Sequence, residues 1–260
     1  MLKTANNKGA LTTTFYGIRW GHYVNGFETP TDHPFVALAF EGAVRLCSKK
    51  PKTPKDPLTP EILKELITQF NSDSLTDLRF LIICSLGFFG FLRIEELLQV
   101  QLKDIKLTTT HLEIFLKKSK NDQHRDGKTV YISRNESEFC PVKLTEKFFT
   151  TASITLSTHE NVYLVPRLVK IKKGHKIHPT SGISYTRTRE IFNEYIKINE
   201  TEGNYGLHSL RSGGASAAAE NMVDERLISK HGRWSSDRAR NMYIKDSLEN
   251  RLSVTRKLGI

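Results

Sequence analysis

The residues in this sequence best equipped for chemistry lie in the stretch Leu207-His208-Ser209-Leu210-Arg211. His208 and Arg211 are three positions apart, so on a helix their side chains point to one side of a single turn. Ser209 is short and polar, and the spacing predicts a helix that it caps. A helix N-terminus attracts anions through its unpaired N–H groups. A guanidinium offers two phosphate oxygens a planar fork, and an imidazole donates to a third. The stretch therefore reads as a pocket for one phosphate. Small residues follow from Gly213 to Ala219, suited to a tightly packed helix, and a second helix is expected over 224–230. Trp234 and Tyr243 come next, nine positions apart.

His-x-x-Arg, then Trp, then Tyr nine residues on resembles the C-terminal half of the active site of tyrosine recombinases, the phage-integrase-like superfamily. Two upstream segments resemble the remainder. Gly90-Phe91-Leu92-Arg93-Ile94-Glu95-Glu96-Leu97-Leu98 is similar to the family's box around its first catalytic arginine. Lys118-Ser119-Lys120-Asn121 is similar to the turn that delivers its catalytic lysine. The resemblance runs over residues 57–247 and implies a site-specific DNA recombinase or integrase. Such an enzyme cleaves and rejoins strands through a 3′-phosphotyrosyl intermediate, with no metal and no cofactor. The Asn121-Asp122-Gln123 run and the linker before Pro57 look more like the recombinases of eukaryotic DIRS-like or Crypton-like mobile elements than like compact phage integrases.

The implied catalytic set is Arg93, Lys120, His208, Arg211, Trp234 and Tyr243. Transferring a phosphoryl group is largely a matter of positioning and of stabilising charge on the non-bridging oxygens. Arg93 and Arg211 would clamp those oxygens. His208 would donate a hydrogen bond and help manage the nucleophile's proton. Trp234 would offer an indole N–H, and Lys120 would protonate the leaving hydroxyl. A phenol titrates near about 10, so a tyrosine nucleophile needs cations beside it.

Each residue also has a plainer reading. Arg93 could be a structural ion pair with Glu95 or Glu96, and Glu96 could orient Arg93 from behind. Lys118 and Lys128 are rivals of Lys120, and His231 is a rival of Trp234. Trp234 and Tyr243 could be core aromatics. His124, His175 and His178 have no partners at ligand spacing, so no metal site is assigned.

The chain has 260 residues, and 39 Lys and Arg face 28 Asp and Glu, for a net charge of +11. That balance favours a polyanion, and double-stranded DNA is the expected partner. Candidate DNA contacts are Lys49, Lys50, Lys52 and Lys55 in the linker, Arg125 and Lys128 in a basic turn, and Arg187 and Arg189 on a helix face. No apolar run reaches the roughly 18 residues of a membrane span. Three distant cysteines suggest a reducing, intracellular compartment, the nucleus if the source is eukaryotic.

These residues need elements to position them. Helices are expected over 12–24 and 34–47, the second capped by Asp32 and packing Phe35, Leu38, Val44 and Leu46. Residues 1–48 would be the helical remnant of an N-terminal DNA-binding domain, and 49–57 a basic, proline-rich linker. Residues 58–260 would form the catalytic domain. Thr59-Pro60-Glu61 opens a helix, and a second, apolar all round, begins near Ser74 and delivers Arg93. Strands over 105–107, 111–117 and 129–133 predict a three-stranded antiparallel sheet. Helices follow over 142–152 and 184–197. Residues 153–183 read as irregular, with the basic run 170–176 as a surface loop. The fold class is mainly α with this small sheet. The tail 247–260 carries Leu248, Leu252 and Leu258, and in the resembled family such a tail docks into a neighbouring subunit. Self-association on DNA, from dimer to tetramer, is therefore expected. A type IB topoisomerase and a domesticated, non-catalytic DNA-binding protein are the alternatives.

Overall fold

A computed structural model describes residues 7–47, 54–117 and 127–259. The chain divides into two compact units, with the boundary between Pro54 and Lys55. In the first unit, helix α1 (Lys8–Val24) is capped by the Asn7 side chain, and α2 spans Pro34–Cys47. Asp32 does not cap α2. It ends a short 3-10 turn and pairs with Arg19 at 3.0 Å, while His33 accepts from Phe35 N–H. Phe15 stacks on Phe40, but Phe35, Leu38 and Leu46 are exposed rather than packed.

The second unit is built around α4 (Leu75–Phe89), in which every residue from Leu78 to Phe88 is buried. An all-round apolar helix can only be stable at the centre of a core. Helix α3 (Pro60–Phe70) packs on it, with Thr59 accepting from Ile62 N–H as its cap. Helix α4 does not itself deliver Arg93. It ends at Gly90, Phe91 takes a positive φ of 44°, and Arg93 caps a separate short helix, α5 (Ile94–Leu97).

Strands β1 (Ile105–Leu107), β2 (His111–Leu116) and β3 (Lys128–Ser133) form the expected antiparallel sheet in the order β1-β2-β3. Leu112, Ile114, Leu116, Val130 and Ile132 alternate onto its buried face. Helix α6 (Pro141–Thr151) packs against α4. The segment expected to be irregular contains a second sheet. Strands β4 (Pro166–Lys170) and β5 (His175–Gly182) pair antiparallel, and the basic run forms the turn and flanks of this hairpin.

Helix α7 (Tyr185–Ile198), capped by Ser184, buries Ile191 and Phe192. Helix α8 (Leu207–Glu220) is capped by Gly206 and so starts three residues earlier than a Ser209 cap would set it. Ser209 is fully buried in its first turn and accepts from Gly206 N–H at 3.0 Å, so it staples the helix start from inside. Gly213 and Gly214 let α8 lie flush on its neighbours. A Cβ at Gly213 would strike the Leu58 carbonyl, and one at Gly214 the Phe88 carbonyl and the Phe91 ring. Helices α9 (Glu225–Gly232), α10 (Asp237–Asn241) and α11 (Leu248–Arg256) complete the chain.

Candidate active site

Three backbone features bring the candidate residues together. The bend at Gly90-Phe91 turns the chain out of α4 and places Arg93 at the start of α5. The flush packing of α8 sets Arg211, in its second turn, against that bend. Arg233 closes α9 in the left-handed conformation, φ 58° and ψ 36°, and turns Trp234 back under the site.

Arg211 is fully buried. One Nη donates to the Phe91 carbonyl and the other to the Gly232 carbonyl at 2.6 Å. Its guanidinium carbon lies 4.5 Å from the centre of the Trp234 ring and 4.9 Å from that of Tyr243. The two rings are 5.3 Å apart. Burial, and then the charges of Arg233 and Arg93, push the Arg211 pKa down. Arg93 donates to Glu96 at 2.7 Å, and Tyr243 lies near enough to favour its charged form. Burial alone would lower its pKa, but the bond and charge of Glu96, with help from Tyr243, raise it. Glu96 is buried as well. Desolvation would raise its pKa, and the Arg233 and Arg93 charges outweigh that and lower it. Of the two acidic neighbours of Arg93, Glu96 therefore makes the ion pair, while Glu95 is exposed.

Tyr243 is held from its own chain. Arg240 is buried against Glu225 at 2.7 Å and Asp237 at 3.0 Å, which ties α10 to α9. The Ser216 hydroxyl accepts from Lys245 N–H at 2.8 Å and sits 3.4 Å from the Tyr243 carbonyl oxygen. The indole Nε1 of Trp234 and Nε of Arg211 are buried donors with no hydrogen-bond partner among the described residues. The Nε2 of His231, the rival of Trp234, lies 2.8 Å from the Phe89 carbonyl and pins α9 to the end of α4.

The other candidates lie further out. His208 is exposed on the first turn of α8. Lys120 and its rival Lys118 fall outside the described residues, as do Lys49, Lys50, Lys52 and Arg125. Lys55 donates to Asn204 at 2.6 Å. Lys128 is exposed where β3 begins, and Arg187 and Arg189 are exposed on α7, with Arg187 paired to Glu190 at 3.1 Å. Among the described residues no cluster of side chains is set to hold a metal, and no helix is long and apolar enough to cross a membrane.

Sequence reasoning missed Arg233. Its side chain is only 3% exposed and lies 2.9 Å from Glu96, with further bonds to the carbonyls of Gly90, Phe91 and His231. The available signal was a charged residue wedged between Gly232 and Trp234.

A mainly helical domain with a small antiparallel sheet is the fold of a tyrosine recombinase catalytic domain, and here it brings paired arginines under a tryptophan and a tyrosine. The chain belongs to the phage integrase family, whose pattern matches residues 57–250. A curated relative, the integrase/recombinase xerD homolog of Selenomonas ruminantium, is 27% identical over 214 residues. That match takes in 76% of this chain and 58% of the relative, so the chain spans little more than half of the relative's length. Among solved structures, XerA recombinase superposes with a TM-score of 0.58 at 15% identity, covering 96% of this chain and 84% of that one. XerH site-specific recombinase, solved after cleavage on a palindromic difH substrate, superposes with a TM-score of 0.56 at 16% identity, covering 78% and 53%. At these identities the superpositions speak to the fold.

Proposed function

We propose that this chain is a site-specific DNA recombinase or integrase that cleaves and rejoins strands through Tyr243. The observation that carries this reading is the meeting of Arg93 and Arg211 on one phenol, beside a buried indole N–H. The Tyr243 oxygen attacks a DNA phosphorus, forms a P–O bond and expels the 5′-oxygen. Lys120 gives that oxygen its proton, and His208 helps take up the proton of the phenol. Arg93 and Arg211 balance the charge that spreads over the non-bridging oxygens, and Trp234 donates to one of them. The new phosphotyrosyl bond keeps the energy of the old one, and the reverse attack by a 5′-hydroxyl rejoins the strand. No step calls for a metal or a cofactor.

Double-stranded DNA is the partner, supported by the +11 charge and by exposed Lys128, Arg187 and Arg189. The linker lysines Lys49, Lys50, Lys52 and Lys55, with Arg125, are read as further backbone contacts. The two helices before the linker are read as part of a DNA-binding domain, supported by a thin core in which Thr31 and Ala43 are the buried described residues. Self-association on DNA through the tail 247–260 is supported by the exposure of Leu248, Leu252 and Leu258. Kinship with DIRS-like or Crypton-like elements rests on Asn121-Asp122-Gln123 and the linker pattern alone.

Trapping on a nicked suicide substrate tests the reading. The protein should form a covalent adduct, and Tyr243→Phe should bind the same DNA and form none. Lys120→Ala should be slow on ordinary DNA and recover when the leaving oxygen is replaced by sulfur, which departs without a proton. An adduct mapped to Tyr195 or Tyr205 would overturn the assignment. Plasmid relaxation without strand exchange would move it to a type IB topoisomerase.

A further inference from the structure

Arg233 is a costly residue to keep. An arginine with φ 58° is in a backbone region that favours glycine, and its charge is taken almost wholly out of water. Burial pushes its pKa down, against the charge and hydrogen bond of Glu96. What it holds is specific. Its Nη2 meets Glu96 Oε2 at 2.9 Å, while the other oxygen of the same carboxylate holds Arg93 at 2.7 Å. The same Nη2 donates to the Phe91 carbonyl at 3.1 Å, and that oxygen is also the acceptor of Arg211. Its Nη1 donates to the His231 carbonyl at 3.0 Å and the Gly90 carbonyl at 3.3 Å. One side chain thus shares an acceptor with each of the two arginines that face Tyr243, and its own backbone turns Trp234 into the site.

Resting on the recombinase reading, we propose that Arg233 is a positioning residue for strand cleavage. It fixes the spacing of Arg93 and Arg211 through Glu96 and the Phe91 carbonyl, and touches no substrate itself. Lysine would not do the same work, since a single ammonium cannot fork across a carboxylate and three carbonyls.

Arg233→Gly is the decisive variant, because glycine accepts the backbone conformation and only the side chain is lost. Adduct formation at saturating suicide DNA should fall about 100-fold, the size expected when a clamp is displaced by roughly 1 Å. DNA affinity should stay at the wild-type value. A scissile methylphosphonate carries no charge on one non-bridging position, so it needs the clamp less, and on that substrate the defect should shrink. Combining Arg233→Gly with Glu96→Gln should add little to either change alone. Should the glycine variant not fold, Arg233→Lys carries the same comparison. Wild-type cleavage rates in the variant, or an equal loss on both substrates, would overturn the proposal. A wild-type protein that forms no adduct would instead overturn the recombinase reading on which it rests.

Discussion

The surroundings of His231 disfavour its charged form. Burial, then the charges of Arg233 and Arg211, hold its pKa below the usual imidazole value, although the bond to the Phe89 carbonyl works the other way. In the unfolded chain a histidine takes up a proton near about pH 6.5. In the folded chain it does so only at lower pH. Between those two values the unfolded state binds more protons, so stability is lost as pH falls through this window. Glu96 adds a second loss further down, since its pKa is lowered and its contribution is present only above the ordinary carboxylate range. The melting temperature should therefore drop from about pH 7.5 to about pH 5.5, and His231→Gln should flatten that drop. An equally steep drop in the variant would place the acid sensitivity elsewhere. At this scale the sequence was readable where chemistry demands a residue type. Arg93, Arg211, Trp234 and Tyr243 do converge. Arg233 was not readable, because its value lies in a partner 137 positions away and in a backbone angle that no local pattern announces.

Helix α8 owes its position to what it lacks. The run Gly213 to Ala219 suggested tight packing, and the contacts of Gly213 and Gly214 with Leu58 and Phe88 bear that out. Gly214→Ala gains helix propensity of under about 1 kcal/mol. It forces a methyl into the Phe88 carbonyl and the Phe91 ring, which overpacking data put at about 1–3 kcal/mol. We expect a lower urea midpoint and slower cleavage, because Phe91 carries the carbonyl that holds Arg211. A variant as stable and active as wild type would show that the two helices can part without harm. The elements that sequence reading placed well were those with a strong local signal: the helical spacing of α3, the long apolar run of α4 and the alternation of the three-stranded sheet. Strands β4 and β5 escaped because proline opens one and Pro179 interrupts the other. Proline argues against a central strand, yet in a two-stranded sheet both strands are edges, where it is tolerated. The start of α8 escaped for a related reason: serine suits a cap, but here it serves from the first turn inside the helix.

On the scale of the whole molecule, the apolar side chains of the tail find little cover. Leu248, Leu252 and Leu258 are 70%, 40% and 66% exposed. Apolar anchors spaced along a helix suit docking in a groove, and head-to-tail docking between copies closes into a ring if the rotation allows. Deleting residues 248–260 should leave single-protomer DNA binding intact and abolish both multimers on DNA and strand exchange. A truncated chain that assembles and recombines at full rate would show that the tail couples nothing. The leucines and the polar start at Ser247 were visible in sequence, since spacing and capping are local; which surface receives them is not.

The entry of the chain into the second unit carries a mechanical consequence. Asp56 N–H donates to the Asn204 carbonyl and Leu58 N–H to the Ser209 carbonyl, both at 2.9 Å, while Asn204 N–H returns a bond to the Asp56 carboxylate at 2.9 Å. Tension arriving along the backbone from residue 54 is thus met first by the loop and first turn that carry His208, ahead of the hydrophobic core. Pulling on residue 54 is pulling on the shoulder of the candidate site.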